Sequence, residues 1–225
     1  MLCRMTIAAP PHVSLRLLTR VARRWALGLA VVLGAFVVAL GVEFAGARTA
    51  TQFDIHVMLH LYSWYPDRHA VAHRVADLGG SAAVAGVTLV LAVVLYATQR
   101  YRAALLALLG PLVATGLTEW VLKPAVDRRL LGYVTYPSGH ATGAFSVATV
   151  LAVVLLGVGG SHLAARLVVS VVVFAFACLV AVSLVVAGYH VPSDTLGGAG
   201  VGIATVLALA VVIDAVGDRL ALRRR

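Results

Sequence analysis

Six long apolar stretches dominate this chain and leave few folds open to it. They run approximately over Trp25–Val42, Leu78–Thr98, Ala103–Leu122, Thr142–Gly160, Leu167–Ala187 and Thr195–Ile213. Each comes close to the roughly 20 apolar residues that cross a bilayer as a helix. A single apolar segment in lipid must satisfy its own backbone N–H and C=O groups, so each stretch is expected to be helical. Valine disfavours helix slightly in water, but in lipid the backbone requirement outweighs that penalty. Composition points the same way. Of 225 residues, 61% are hydrophobic and 12% charged, against about 25% charged in a soluble domain. The expected fold class is all-α: a polytopic membrane protein with six transmembrane helices. It is read as one membrane domain over residues 1–225, with a basic N-terminal segment to about residue 24 and a short basic tail from about 215.

The net charge of +9 does not argue for nucleic acid, because the positive residues sit in short pieces between apolar spans. With the N-terminus inside, the inner segments hold 12 basic residues: Arg4, Arg16, Arg20, Arg23, Arg24, Arg100, Arg102, Arg166, Arg219, Arg223, Arg224 and Arg225. The outer segments hold six: Arg48, Arg68, Arg74, Lys123, Arg128 and Arg129. Positive residues concentrate on the cytoplasmic side, so both termini are expected there, in the cell (plasma) membrane. Ala45-Gly46-Ala47 resembles a signal cleavage site, but the preceding apolar run has 18 residues. Signal h-regions are shorter, about 7–15, so the run reads as an uncleaved first span. Cys3 and Cys178 fall in different environments and make no disulfide framework.

Glu43 to Asp77 forms the longest outer connection. Its segment Phe53–Tyr62 mixes apolar and polar faces and is followed by Trp64 and Tyr65, as in a short interfacial helix. His56 and His60, and His69 and His73 with Asp77, have the i, i+4 spacing of metal ligands. Solvated or headgroup-facing histidines are the favoured reading, and no metal or other cofactor is expected.

Chemistry concentrates in two other outer loops. His140 and His190 are separated by one inward and one outward crossing, so the chain returns them to the same side. Pro124 is expected to end the third span near Lys123, and Glu119 lies one helical turn before that lysine. Pro137-Ser138-Gly139-His140 leads directly into the fourth span. Ser138 suits a helix cap, and Gly139 lets backbone approach a ligand. The helix start favours an anion. With Lys123, Arg128 and Arg129 it forms a candidate phosphate cradle. In the second loop Asp194 can cap the sixth span and also hold one nitrogen of His190, leaving the other free as a nucleophile.

At these residues the chain resembles the phosphatidic acid phosphatase type 2 superfamily, whose signature is K-x6-R-P, then P-S-G-H, then S-R-x5-H-x3-D. Pro137-Ser138-Gly139-His140 matches the second part, Ser183, His190 and Asp194 match the third in spacing, and Lys123 matches the start of the first. Leu184 replaces the third motif's arginine, and Leu130-Leu131 stand where Arg-Pro is expected. The resemblance implies an extracytoplasmic site on a membrane phosphatase acting on a polyprenyl or glycerolipid phosphate or pyrophosphate. It implies His190 as nucleophile, His140 as acid and Asp194 as partner, with phosphate held by Lys123, Arg128 or Arg129, Ser138 and Gly139. The departures leave open a protein that binds or moves a phosphorylated lipid without catalysis. A vanadium haloperoxidase, from the same superfamily, fits the membrane layout less well.

Overall fold

The computed structural model describes residues 16–64, 69–157 and 162–223, with backbone alone at His69. Cys3, Arg4, Tyr65, Arg68, Arg224 and Arg225 lie outside the described residues. The helices are α1 (Arg20–Glu43), α2 (Gln52–Trp64), α3 (His69–Asp77), α4 (Ser81–Ala97), α5 (Tyr101–Gly116), α6 (Lys123–Val126), α7 (Gly139–Leu156), α8 (Leu163–Val186) and α9 (Pro192–Arg223). Five rods are long and apolar enough to cross a bilayer: α1, the continuous run Tyr101–Val126, α7, α8 and α9. α3 and α4, joined at a 42° bend, pass the same test only when taken together as one span. The chain is thus an integral membrane protein with five to six candidate spans. Interfacial helix α2 covers the segment expected for it, and α3 adds a second short helix before the bend.

The bundle is organised around α7, which packs against α5, α8 and α9. Leu106, Val150 and Val206 meet at its centre, each at most 1% exposed. Gly198 and Gly202, four residues apart on α9, let that helix approach α7 backbone to backbone. An added Cβ at Gly198 would collide with the Ser138 carbonyl, and at Gly202 with the Thr142 carbonyl. Small residues at such spacing are the usual basis of close packing in lipid, where van der Waals contact replaces the hydrophobic effect. The outward faces carry valines such as Val31, Val90 and Val171, exposed to what would be lipid. Trp64 and Trp120 stand exposed near the end that carries His190, and Trp25, Tyr96 and Tyr101 at the far end, as aromatic residues do at bilayer interfaces.

Two buried carboxylates on α9 mark the two ends. Asp194 and Asp214 are both 0% exposed and, 20 helical residues apart, lie about 30 Å from each other along the axis. Asp214 accepts hydrogen bonds from the backbone N–H of Leu17 at 3.0 Å, that of Leu18 at 2.9 Å, and from Arg102 at 3.0 Å. Asp218 adds contacts to Arg102, Arg16 and Arg23. Some basic residues expected only to set orientation therefore also clamp the start of α1 to α5 and α9.

One local expectation is corrected. Pro124 does not end its span. The backbone widens into a π-helix over Leu117–Leu122 and then continues to Val126. A proline lacks the N–H for the i−4 bond and crowds that carbonyl; the wider turn just before it relieves both. The rod ends instead at Asp127, whose φ of +47° is left-handed. The loop that follows contains a short hairpin. Arg129–Leu130 pairs antiparallel with Tyr133–Val134, and the two turn residues Leu131 and Gly132 both have positive φ, +50° and +85°, as a two-residue I′ hairpin requires.

Candidate active site

One cavity of about 980 Å³ opens at the end where these loops meet. Its walls include His140, His190, Tyr189, Lys123, Glu119 and Gly139, with apolar side from Met58, Val84, Leu130, Leu131 and Val191. A smaller apolar cavity of about 350 Å³ adjoins it through Met58, Tyr62, Leu130, Leu131 and Val191.

His140 arrives at the cavity because Ser138 caps α7. The Ser138 hydroxyl accepts from the Ala141 N–H at 3.3 Å, and the Ser138 carbonyl accepts from the Thr142 N–H at 3.0 Å. The imidazole packs over Gly80 at the α3–α4 bend, where a Cβ would sit 3.5 Å from His140 Nε2. His190 arrives because α8 stops at Gly188, whose φ of +76° ends the helix in a left-handed turn. The N–H groups of Gly188 and Tyr189 close on Val185 and Leu184. Pro192 then opens α9, so only five residues separate the helices. The two loops are tied by the Ser138 N–H, which donates to the Asp194 carbonyl at 3.0 Å.

Asp194 lies directly behind His190. Its Oδ2 faces His190 Nδ1 at 3.6 Å, close enough for charge attraction but too long for a hydrogen bond. Neither atom has a hydrogen-bond partner among the described residues. The other carboxylate oxygen, Oδ1, accepts from Arg128 Nη1 at 2.7 Å. Arg128 is fully buried, stacked 4.1 Å over the Phe44 ring. It also donates to the Ser193 hydroxyl at 2.7 Å and to Asp54 Oδ2 at 2.9 Å.

Asp54, also 0% exposed, is a residue that the motif reading missed. It accepts from the Ser193 N–H at 2.8 Å, the Ser193 hydroxyl at 2.9 Å and the Thr51 N–H at 3.1 Å. Burial alone would raise its carboxyl, but the bonds from Ser193, Arg128 and Thr51 outweigh that and hold it below the usual carboxylate range. A sequence signal existed. Thr51-Gln52-Phe53-Asp54 is a capping box, with the Thr51 hydroxyl accepting from the Asp54 N–H at 3.1 Å.

Lys123 and Glu119 face the cavity as a pair, with Nζ 2.8 Å from each carboxylate oxygen. The Glu119 carboxylate also packs against Gly139, where an added Cβ would have to displace it. A contact of 3.0 Å between the Thr118 and Thr142 hydroxyls fixes the π-helical segment against α7 and so sets this arrangement.

The model of the PAP2 superfamily matches residues 74–218. The chain belongs to the PAP2 superfamily. Its fold is similar to a solved structure described as the first transmembrane PAP2 type phosphatidylglycerolphosphate phosphatase from Bacillus subtilis. The TM-score is 0.65 at 21% identity, over 84% of this chain and 96% of that one. No curated protein matches the chain.

Around the cavity the residues expected from sequence separate into two groups. His140, His190, Lys123 and Gly139 line the cavity, and Asp194 backs His190. Arg128, expected to bind phosphate, is instead sealed between two carboxylates, because a buried guanidinium needs its charge paired. Ser138 serves as the expected cap but is fully buried and does not line the cavity. Arg129 is not among the residues that line it and pairs with Asp127 at 2.8 Å, which Arg48 also holds at 3.0 Å. These hydrogen bonds keep the Asp127 carboxyl below its ordinary value. Leu184 is fully buried among Ala76, Ala141 and Val180. Of the possible metal ligands, the His56 and His60 rings lie tilted 4.5 Å apart on the exposed side of α2, and His73 packs edge-on against Tyr189 at 5.0 Å.

Proposed function

We propose that this chain is a membrane phosphatase that hydrolyses a lipid phosphate or pyrophosphate through a phosphohistidine, at a site facing outward from the cell membrane. The observation that carries the reading is one cavity lined by both His140 and His190 whose other walls are largely apolar. The histidines would act on a head group while the adjoining apolar walls accept part of the tail.

His190 Nδ1 faces Asp194, which favours the tautomer with its proton on Nδ1 and a free lone pair on Nε2. Nε2 attacks phosphorus and forms the N–P bond as the P–O bond to the lipid breaks. His140, protonated, gives its proton to the departing oxygen. Water then attacks the phosphohistidine, passes a proton to His140, and phosphate leaves with His190 restored. Lys123, the Gly139 backbone and the positive end of α7 would stabilise the phosphoryl oxygens, where charge resides during transfer.

Phosphate release by the purified protein from a panel of polyprenyl and glycerolipid mono- and diphosphates tests this reading. Activity on at least one member, lost in His190→Ala, is expected. Inactivity on every member, with His190→Ala unchanged in cells, would favour a protein that binds phosphorylated lipid without hydrolysis. Orientation has its own test. Tyr133→Cys, at the exposed hairpin, should react with an impermeant thiol reagent added to intact cells. Labelling only after permeabilisation would reverse the topology.

A further inference from the structure

We propose that Asp54, outside the segment matched by the family model, is a positioning residue that acts on His190 through Arg128 and Asp194. This rests on the phosphatase reading above. One guanidinium stands between two buried carboxylates, 2.9 Å from Asp54 and 2.7 Å from Asp194. All three side chains are 0% exposed. Three such groups carry one net negative charge. Because Asp54 takes one edge of Arg128, Asp194 is not fully neutralised, and its Oδ2 remains directed at His190 Nδ1. Asp54 also holds both the N–H and the hydroxyl of Ser193, the residue before Asp194. The interfacial helix α2 therefore fixes both the place and the charge of the carboxylate behind His190. Without Asp54, the buried Arg128 would have Asp194 as its single anionic partner and would cancel the charge His190 faces.

The test compares Asp54→Asn, Arg128→Met and the double variant, each in the full chain, with His190→Ala as control. Asp54→Asn should lower kcat about tenfold or more and leave KM within about twofold, because the defect lies in positioning rather than in substrate contact. Removing Arg128 as well should recover part of that kcat, since Asp194 regains its charge. A residue that only stabilised the fold would give the opposite sign, with the double variant slower than either single one. Wild-type kcat in Asp54→Asn, or a double variant no faster than Asp54→Asn, would overturn the proposal. Should Asp54→Asn not fold, Ser193→Ala decides. It removes one bridge and keeps both charges, and a lower kcat at constant KM supports the proposal, whereas wild-type kcat or a raised KM overturns it. Full activity in His190→Ala would instead sink the phosphatase mechanism itself, so the two failures are distinguishable.

Discussion

Arg128 lies 2.7 Å from Asp194 with both side chains fully buried. Breaking a buried ion pair by deleting one partner typically costs about 3–5 kcal/mol, because the other charge is left without compensation. Arg128→Met leaves two buried carboxylates facing each other. It should therefore lower the thermal midpoint in detergent far more than it raises KM. A large rise in KM with an unchanged midpoint would return Arg128 to the phosphate cradle.

Glu119 holds both hydrogen bonds of Lys123 at 2.8 Å and packs against Gly139. A phosphate reaching Lys123 must compete with that carboxylate. Glu119→Gln keeps the shape and removes the charge. It should tighten competitive inhibition by inorganic phosphate about threefold to tenfold, the scale of a charge pair near a protein surface. Weaker inhibition would mean that Glu119 orders Lys123 for phosphate rather than competing for it.

Leu184 occupies the position of the motif arginine, and it is fully buried in an apolar cluster with Ala76, Ala141 and Val180. Leu184→Arg should therefore not improve activity. An unpaired buried charge costs several kcal/mol, so lower yield and a lower midpoint in detergent are expected. A stable variant with higher kcat/KM would show that the side chain can reach the cavity.

Asp54 contributes to the acid response, alongside Asp127, whose carboxyl is also held low. The Asp54 carboxyl sits below the ordinary value of 3.8, so it stabilises the fold above the unfolded value and loses that contribution as pH falls through the folded one. The thermal midpoint should hold down to about pH 4 and drop below it. In Asp54→Asn the midpoint should start lower and fall less steeply over the same range. Equal acid slopes for the two proteins would place the sensitive group elsewhere.

Much of this was legible in the chain because lipid makes simple demands. Backbone satisfaction turns six apolar runs into six helices, and parity of crossings returns His140 and His190 to one side. What escaped was the partner choice of individual charges. Arg128 and Arg129 are adjacent in sequence, yet one is sealed against Asp54 and Asp194 while the other lies exposed on Asp127. Nothing in their spacing distinguishes them, since burial is decided by the docking of α2. The Asp54 contact spans 139 residues to Ser193, and its local trace, the Thr51–Asp54 capping box, announces a helix start rather than a site. Pro124 misled for a similar reason. Its steric rule held, but a widened turn absorbed it without ending the helix.

The central claim is that His190 carries the phosphoryl group during turnover. The direct measurement is a rapid acid-free quench of the protein mixed with a lipid phosphate labelled on phosphorus, followed by separation of the denatured chain. The account predicts label on the wild-type chain, stable to alkali and released by acid, as a phosphoramidate bond behaves. It predicts no label on His190→Ala. Undiminished label in His190→Ala, or turnover at the wild-type rate by that variant, would contradict it.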